Sequence, residues 1–185
     1  MKRSYLFLAT GFEEVEAIAP VDALRRAGME VTIVAINKER LVTGANGITV
    51  AADEVLAGVN LEDADWLICP GGMPGATNLR ANEVLCEALK AHYEKGGRIA
   101  AICASPAVVL ATLGILKGKK ATAYPGFEEQ LKEAGATHVE GRVVVDGNII
   151  TANGPSSALP FAYAIIAETL GEAKADEIAT GMLYK

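Results

Sequence analysis

The chain predicts an α/β fold in which a doubly wound, mostly parallel sheet is sandwiched by helices and carries a small hairpin at its edge. Three observations carry this. Apolar runs of strand length alternate with segments of helical spacing along all 185 residues, the pattern of a sheet built from crossover units. The run Ile99–Ile102 has no polar residue, as a strand buried on both faces requires. Asp146-Gly147 separates two β-rich runs, a specific signal for a tight hairpin.

In chain order, Tyr5 to Thr10 reads as the first strand. Glu13 to Ala27 then forms a helix closed by Gly28, with Pro20 expected to kink it or mark a break, because proline brings no N–H to the helix ladder. Glu30 to Asn37 is the next strand. Leu41 to Ala52, with Gly44-Ala45-Asn46-Gly47 at its centre, reads as a hairpin on the sheet edge. Ala64 to Cys69 is a buried strand stopped by Pro70-Gly71-Gly72, and Asn82 to Glu94 is an amphipathic helix ended by Gly96-Gly97. After the strand at 99–102, Ser105 and Pro106 fit an N-cap and first helical position for Ala107 to Ala111. A short strand at Lys120 to Tyr124, a helix at Phe127 to Ala134, and strands at Arg142–Val145 and Asn148–Ala152 follow. Helices at Pro155–Leu170 and Ala173–Leu183 close the chain. There is no internal repeat or linker, so residues 1–185 are expected to form one domain.

Composition narrows the function. Hydrophobic residues make up 51% and charged residues 22%, ordinary values for a globular protein, and no apolar run approaches the roughly eighteen residues of a membrane span. The start, Met1-Lys2-Arg3-Ser4 before Tyr5–Ala9, is too short in its apolar part for a signal peptide and lacks a cleavage site. A cytoplasmic protein with no membrane partner is expected. A net charge of −6 without a basic cluster argues against nucleic acid, which needs grouped Lys and Arg. Three cysteines, Cys69, Cys86 and Cys103, and two histidines, His92 and His138, have neither disulfide-framework nor zinc spacing. No metal or other cofactor is predicted.

The chemistry concentrates at Cys103. It stands where a strand's carboxyl end meets a helix's amino end, and unpaired N–H groups with the helix dipole favour the thiolate there. Burial of a small apolar side chain explains a cysteine at this place equally well. Neighbouring turns tip the balance. Glu13 and Glu14 fit capping of the first helix, but Glu16, flanked by Val15, Ile18 and Ala19, points partly inward, where a carboxyl with a raised pKa can hold a proton for a thiolate. Gly71 and Gly72 let backbone approach a reacting atom closely, and the Gly72 N–H with that of Ala104 can form an oxyanion site. Cys69, Cys86 and Trp66 read as packing residues, and Asp22 with Arg25 as a surface pair.

These segments together, Glu13-Glu14-Val15-Glu16, Val21-Asp22 through Gly28, Pro70-Gly71-Gly72, Ala100 to Ala104 and Asn153-Gly154-Pro155, closely resemble the ThiJ/PfpI superfamily, in the branch containing the human parkinsonism-associated deglycase. The resemblance implies a flavodoxin-like sandwich, a homodimer, Cys103 as nucleophile, Glu16 as its protonated partner, and Gly72 and Ala104 N–H groups lining an anion pocket. Two departures matter. Many members carry a histidine where this chain has Tyr124, before Pro125; a phenol is a poor general base at neutral pH, which weighs against a protease or amidase. Asn46 stands where some relatives have arginine, in a loop that reaches the partner's pocket in the family. The reaction implied is glyoxalase III-like or deglycase chemistry on a small aldehyde such as methylglyoxal or on a glycated protein. The alternative is a redox sensor or chaperone working through Cys103 oxidation.

Overall fold

A computed structural model describes residues 3–185. Eleven strands form: β1 (Ser4–Leu8), β2 (Val31–Ala35), β3 (Leu41–Thr43), β4 (Thr49–Ala51), β5 (Glu54–Val55), β6 (Trp66–Cys69), β7 (Arg98–Ile102), β8 (Lys120–Ala121), β9 (Thr137–His138), β10 (Val143–Asp146) and β11 (Ile149–Ala152). The helices are α1 (Glu14–Arg26), α2 (Gly75–Ala81), α3 (Glu83–Glu94), α4 (Glu128–Glu133), α5 (Ala158–Leu170) and α6 (Glu172–Gly181), with a wide π-helical turn at Pro106–Ala111.

Seven strands make one sheet in the order β10-β11-β7-β6-β1-β2-β5. Only β10 runs antiparallel to its neighbour. The central five follow the flavodoxin-like doubly wound order, which reverses direction between β1 and β6. Strand residues alternate between two cores. Leu6, Leu8, Ala100 and Ile102 pack with Phe12, Leu24, Phe161 and Ile165 beneath α1 and α5. Tyr5, Phe7, Ile99 and Ala101 pack with Leu79, Leu85, Leu110 and Leu131 on the opposite face. A strand apolar at every position is thereby buried on both sides, which is why these runs show no polar alternation.

Several expectations are corrected. The helix α1 runs unbroken through Pro20; the proline removes one bond from the ladder, to the Glu16 carbonyl, and packing of α1 on α5 holds the helix together. The 41–52 hairpin forms, but as a separate two-stranded sheet. The strand expected at 120–124 ends at Ala121 and pairs with β9 instead of the main sheet. Helix α2, over Gly75–Ala81, is an addition. Of the closing helices, α5 starts later than expected, at Ala158 after a tight turn, while α6 starts one residue early, at Glu172, and ends at Gly181. Arg26, not Arg25, pairs with Asp22, while Arg25 reaches Asp53 and the Val31 carbonyl. Among the described residues, no helix is long and apolar enough to cross a membrane.

Glu13 caps α1 by accepting the Glu16 N–H at 2.8 Å. Glu14 does something other than the capping expected of it. It is 6% exposed and clasps the hairpin loop, accepting from the Asn46 N–H at 2.8 Å and the Asn46 Nδ2 at 2.9 Å. Burial opposes its charge, but the Asn46 amide and the backbone N–H groups outweigh burial, so its pKa lies below the usual 4.5. A carboxylate with a depressed folded pKa adds stability above 4.5 and loses it as pH falls through the folded value. Glu14→Ala is therefore expected to cost about 1–3 kcal/mol at pH 7, the range for orphaned buried donors. The difference from wild type should shrink below pH 4.5. Urea unfolding followed by Trp66 fluorescence at a series of pH values measures both effects, and a pH-independent difference would refute the clasp's ionic character.

Candidate active site

The turns after β1, β6 and β7 come together where the sheet order reverses, outside the carboxyl ends of the strands, the usual ligand position in such sheets. Glu16 arrives on the first turn of α1, Gly71 and Gly72 on the turn after β6, and Cys103 directly after β7. Each position follows from a strand that stops abruptly because its next residues cannot continue it.

Cys103 has φ +66°, a left-handed backbone that non-glycine residues adopt rarely and at a cost of roughly 1–3 kcal/mol. Hydrogen bonds on both flanks hold it there. Its N–H donates to the Ala152 carbonyl, and its carbonyl accepts from the Tyr124 N–H, each at 2.8 Å. The Ser105 side chain does not cap the following helix, as the sequence had implied. Ser105 already has helical backbone angles, and its hydroxyl donates to the Pro70 carbonyl at 2.5 Å, tying the Cys103 turn to the Gly71 turn. The wide π-helical turn that begins at Pro106 belongs to a class found often near functional sites.

Glu16 has no exposed surface. Its Oε2 accepts the Gly71 N–H at 2.8 Å, and the Cys103 thiol is the neighbouring group that opposes the rise of its pKa most strongly. The packing admits nothing larger than glycine at position 71: a Cβ there would stand 2.5 Å from the Cys103 Cβ and 2.6 Å from Glu16 Oε2. Gly72, with φ +87°, would place a Cβ 2.4 Å from the Glu13 nitrogen. The two glycines are what let a backbone pass between the carboxyl and the thiol.

Burial pushes the Glu16 pKa up to about 7; the Cys103 and Gly71 hydrogen bonds pull it down, and the charge of Glu13 adds to the rise. Burial also pushes the Cys103 thiol up to about 12, helped by the charge of Glu16 and opposed by the Gly72 and Ala104 N–H groups. The helix amino end alone therefore does not make this thiol acidic. Two groups in contact titrate as a unit: the pair gives up one proton near pH 7 and keeps the other to about 12. Between those values it holds a single negative charge, which either the carboxylate or the thiolate can carry.

The remaining candidate residues fall around this pair. Tyr124 is half-exposed beside the elbow, with its ring against Gly154. Asn46 is exposed on the hairpin loop and engaged with Glu14 of its own chain. His92 is buried at the end of α3 near the Arg98 carbonyl, at 3.2 Å; that is the opposite end of β7 from Cys103, about 16 Å away at 3.3 Å per residue. His138 lies on β9 and acts on Glu128. Cys69 is fully buried and its thiol is pushed up to about 12, and Cys86 donates to the Arg80 carbonyl at 3.2 Å, so both pack as expected. Neither the Ser105 bridge to Pro70 nor the support of Tyr124 by the Gly154 backbone is signalled by local residue pattern. Both link residues some 30 positions apart.

Comparison with known proteins places the chain in a family. The model of the DJ-1/PfpI family matches residues 2–168. DJ-1 homolog A of Arabidopsis thaliana is 38% identical over 178 residues, 96% of this chain but 45% of that protein, so the chain spans about half the length of this relative. A deglycase of Pyrococcus abyssi is 36% identical over 153 residues, covering 83% of this chain and 90% of that one. The structure of oxidized Toxoplasma gondii DJ-1 superposes with a TM-score of 0.94 at 42% identity, covering 99% and 98% of the two chains. By sequence along most of its length and by fold, the chain belongs to the DJ-1/PfpI family.

Proposed function

We propose that the chain converts 2-oxoaldehydes such as methylglyoxal to 2-hydroxy acids, with Cys103 as nucleophile, and that the same steps make it a deglycase once an early glycation adduct expels the protein's amine or thiol and regenerates the aldehyde carbon. The single observation that carries this reading is the fully buried Glu16 carboxyl beside Cys103, both facing the Gly71 backbone, with burial holding the carboxyl pKa up to about 7. The deglycase named among its relatives supports the second form.

The steps need only those two groups and the backbone. The thiolate attacks the aldehyde carbon, forming a C–S bond while the carbonyl π electrons move to oxygen. The Gly72 and Ala104 N–H groups, already directed at the sulfur, are placed to stabilise that oxygen, and Glu16 supplies its proton. The resulting hemithioacetal loses its C1 hydrogen as a proton to the Glu16 carboxylate, which returns it to C2, while the hydroxyl proton on the C1 oxygen passes to the C2 oxygen through the enediol. The aldehyde carbon is thereby oxidised and the neighbouring ketone reduced, leaving a thioester of a 2-hydroxy acid. Water cleaves the thioester, Glu16 accepts the water's proton, and the thiol is restored. No outside oxidant or reductant is consumed. A homodimer belongs to this reading: Val15, Ile18 and Ile48, exposed on α1 and the hairpin, are the apolar residues a second copy would cover.

Oxidation of the same sulfur is the second reading, since a thiolate partly open to solvent is the form oxidants attack. Cys103 is 8% exposed, against none for Cys69. A protease reading has less support, because the groups acting on the thiol are Glu16 and two backbone N–H groups, with no imidazole among them.

Lactate formation from methylglyoxal is expected in wild type, at background in Cys103→Ser, and lowered about 10²- to 10⁴-fold in Glu16→Gln, the range for a lost acid–base group. Absence of wild-type turnover would overturn the glyoxalase reading. Carbamidomethylation of Cys103 by iodoacetamide should quicken as pH rises through about 7 and then level off, because the pair loses its first proton there. In Glu16→Gln the inflection should move to the alkaline side. A wild-type inflection only near 12 would mean that Glu16 keeps the charge and the thiol its proton. Under mild peroxide, mass spectrometry should find oxidation at Cys103 before Cys69 or Cys86; equal oxidation of all three would count against the sensor reading.

A further inference from the structure

The substituent on the substrate's second carbonyl is constrained by the walls beside Cys103. We propose that the site accepts 2-oxoaldehydes bearing an aryl or bulky alkyl group in preference to methylglyoxal, with Tyr124 as the residue that sets this specificity. The proposal rests on the reading of Cys103 as a nucleophile toward carbonyl carbon.

The Tyr124 backbone is fixed to that of the nucleophile, its N–H donating to the Cys103 carbonyl. Its ring is 46% exposed, yet one edge is pinned: a Cβ on Gly154 would stand 3.2 Å from the Tyr124 Cδ2. The loop carrying Gly154 is itself stapled. Arg142 donates through Nε to the Ser157 hydroxyl at 3.2 Å and through Nη2 to the Ser156 carbonyl. The Ser157 hydroxyl donates to the Asn153 Oδ1 at 2.7 Å, and the Ser157 N–H to the Gly154 carbonyl at 2.9 Å. An aromatic surface held from behind and open in front needs little ordering when a flat apolar group settles on it.

The opposite flank is also apolar. The Gly72 N–H acts on the thiol, and the next residue, Met73, is 52% exposed, with its sulfur accepting from the Thr77 hydroxyl at 3.8 Å. Met73 and Tyr124 thus stand on the turns that adjoin the elbow, exposed side chains suited to carbon rather than charge.

Electrostatics point the same way. The charged groups acting on Glu16 and Cys103 are acidic, Glu13 and Glu16 themselves, with no Lys or Arg of the described residues among them. Asn46, whose Nδ2 could have met an anion, is engaged with Glu14. A carboxylate on the carbonyl would face this negative field without a counter-charge, so 2-oxo acids such as glyoxylate are disfavoured.

The test separates this subsite from turnover. Alkylation of Cys103 by phenacyl bromide and by bromoacetone is followed by mass spectrometry, each rate divided by that of the same reagent with glutathione. Wild type is expected to favour the aryl reagent by about tenfold or more, within the 10- to 200-fold that apolar pockets discriminate. Tyr124→Phe should keep the preference and Tyr124→Ala should abolish it. Equal normalised rates in wild type, or a preference that survives Tyr124→Ala, would overturn the proposal. In parallel, kcat/KM for phenylglyoxal should exceed that for methylglyoxal, with the Tyr124→Ala loss appearing in KM. An aryl preference in alkylation without turnover of either aldehyde would sustain the subsite while sinking the enzymatic reading. Turnover of both aldehydes with equal kcat/KM would do the reverse.

Discussion

Glu16 is a carboxyl taken wholly out of water, accepting one backbone N–H at Oε2 and touching a thiol, and the surrounding architecture exists in the form that this contact demands. Water would have satisfied four lone-pair directions; here Oε1 has no conventional hydrogen-bond partner. The consequence is a pKa near 7 where 4.5 is usual, a difference worth roughly 3 kcal/mol at 1.36 kcal/mol per unit. For a carboxyl raised in the folded state the sign is unfavourable to folding. The cost is absent below pH 4.5, grows up to about pH 7 and is constant above it. The fold thus gives up stability to keep a proton-bearing carboxyl at neutral pH, a common trade at functional sites.

A second cost is stored next to the first. The left-handed backbone at Cys103 persists because Ala152 and Tyr124 bond to it from two sides and Ser105 ties its turn to Pro70. None of these partners is local. They come from β11, from the segment after β8, and from the turn after β6, so the elbow is as rigid as the sheet that carries those strands. Gly71 is the point where both costs meet: its N–H serves Glu16 and its missing side chain lets Cys103 approach. A site assembled this way resists gradual adjustment, since moving any one turn displaces the other two.

Residues whose role depends on near neighbours were legible in the sequence. The apolar run into Cys103, the paired glycines and an inward Glu16 among apolar residues each announce a local geometry, and the alternation of elements announces the sheet. What escaped was set by distant partners. Glu14 has the same first-turn signature as Glu13, but a loop over 30 residues on supplies its donors. Ser105-Pro106 has N-cap chemistry, yet a free carbonyl on Pro70 captured the hydroxyl. Pro20 breaks isolated helices; here the helix is held by α5, which the local pattern does not report. Helix α2 was hidden because Gly75 and Asn78 disfavour helix in isolation, and its packing against the Pro106 turn overrides that preference. The acidity of Cys103 was misjudged for a related reason: the helix end favours the thiolate, whereas burial and an acidic neighbour, both tertiary, weigh more.

With tyrosine in place of an imidazole, the proton inventory of the site is closed. Burial holds the carboxyl pKa near 7, and among the described residues the groups acting on the sulfur are Glu16 and two backbone N–H groups. Amide hydrolysis asks for more, because the thiolate must be generated and the departing amine protonated in the same passage, a task that thiol hydrolases divide between cysteine and histidine. Rearrangement of a 2-oxoaldehyde asks for less. Each proton leaves one atom of the substrate and returns to the next atom along, so a single carboxyl with a pKa near the working pH can accept and release it with little bias in either direction. The thioester left at the end has a thiol as leaving group and needs no protonated amine to depart. A site with one carboxyl, one thiol and two backbone donors is thus matched to the proposed reaction by what it lacks as well as by what it holds.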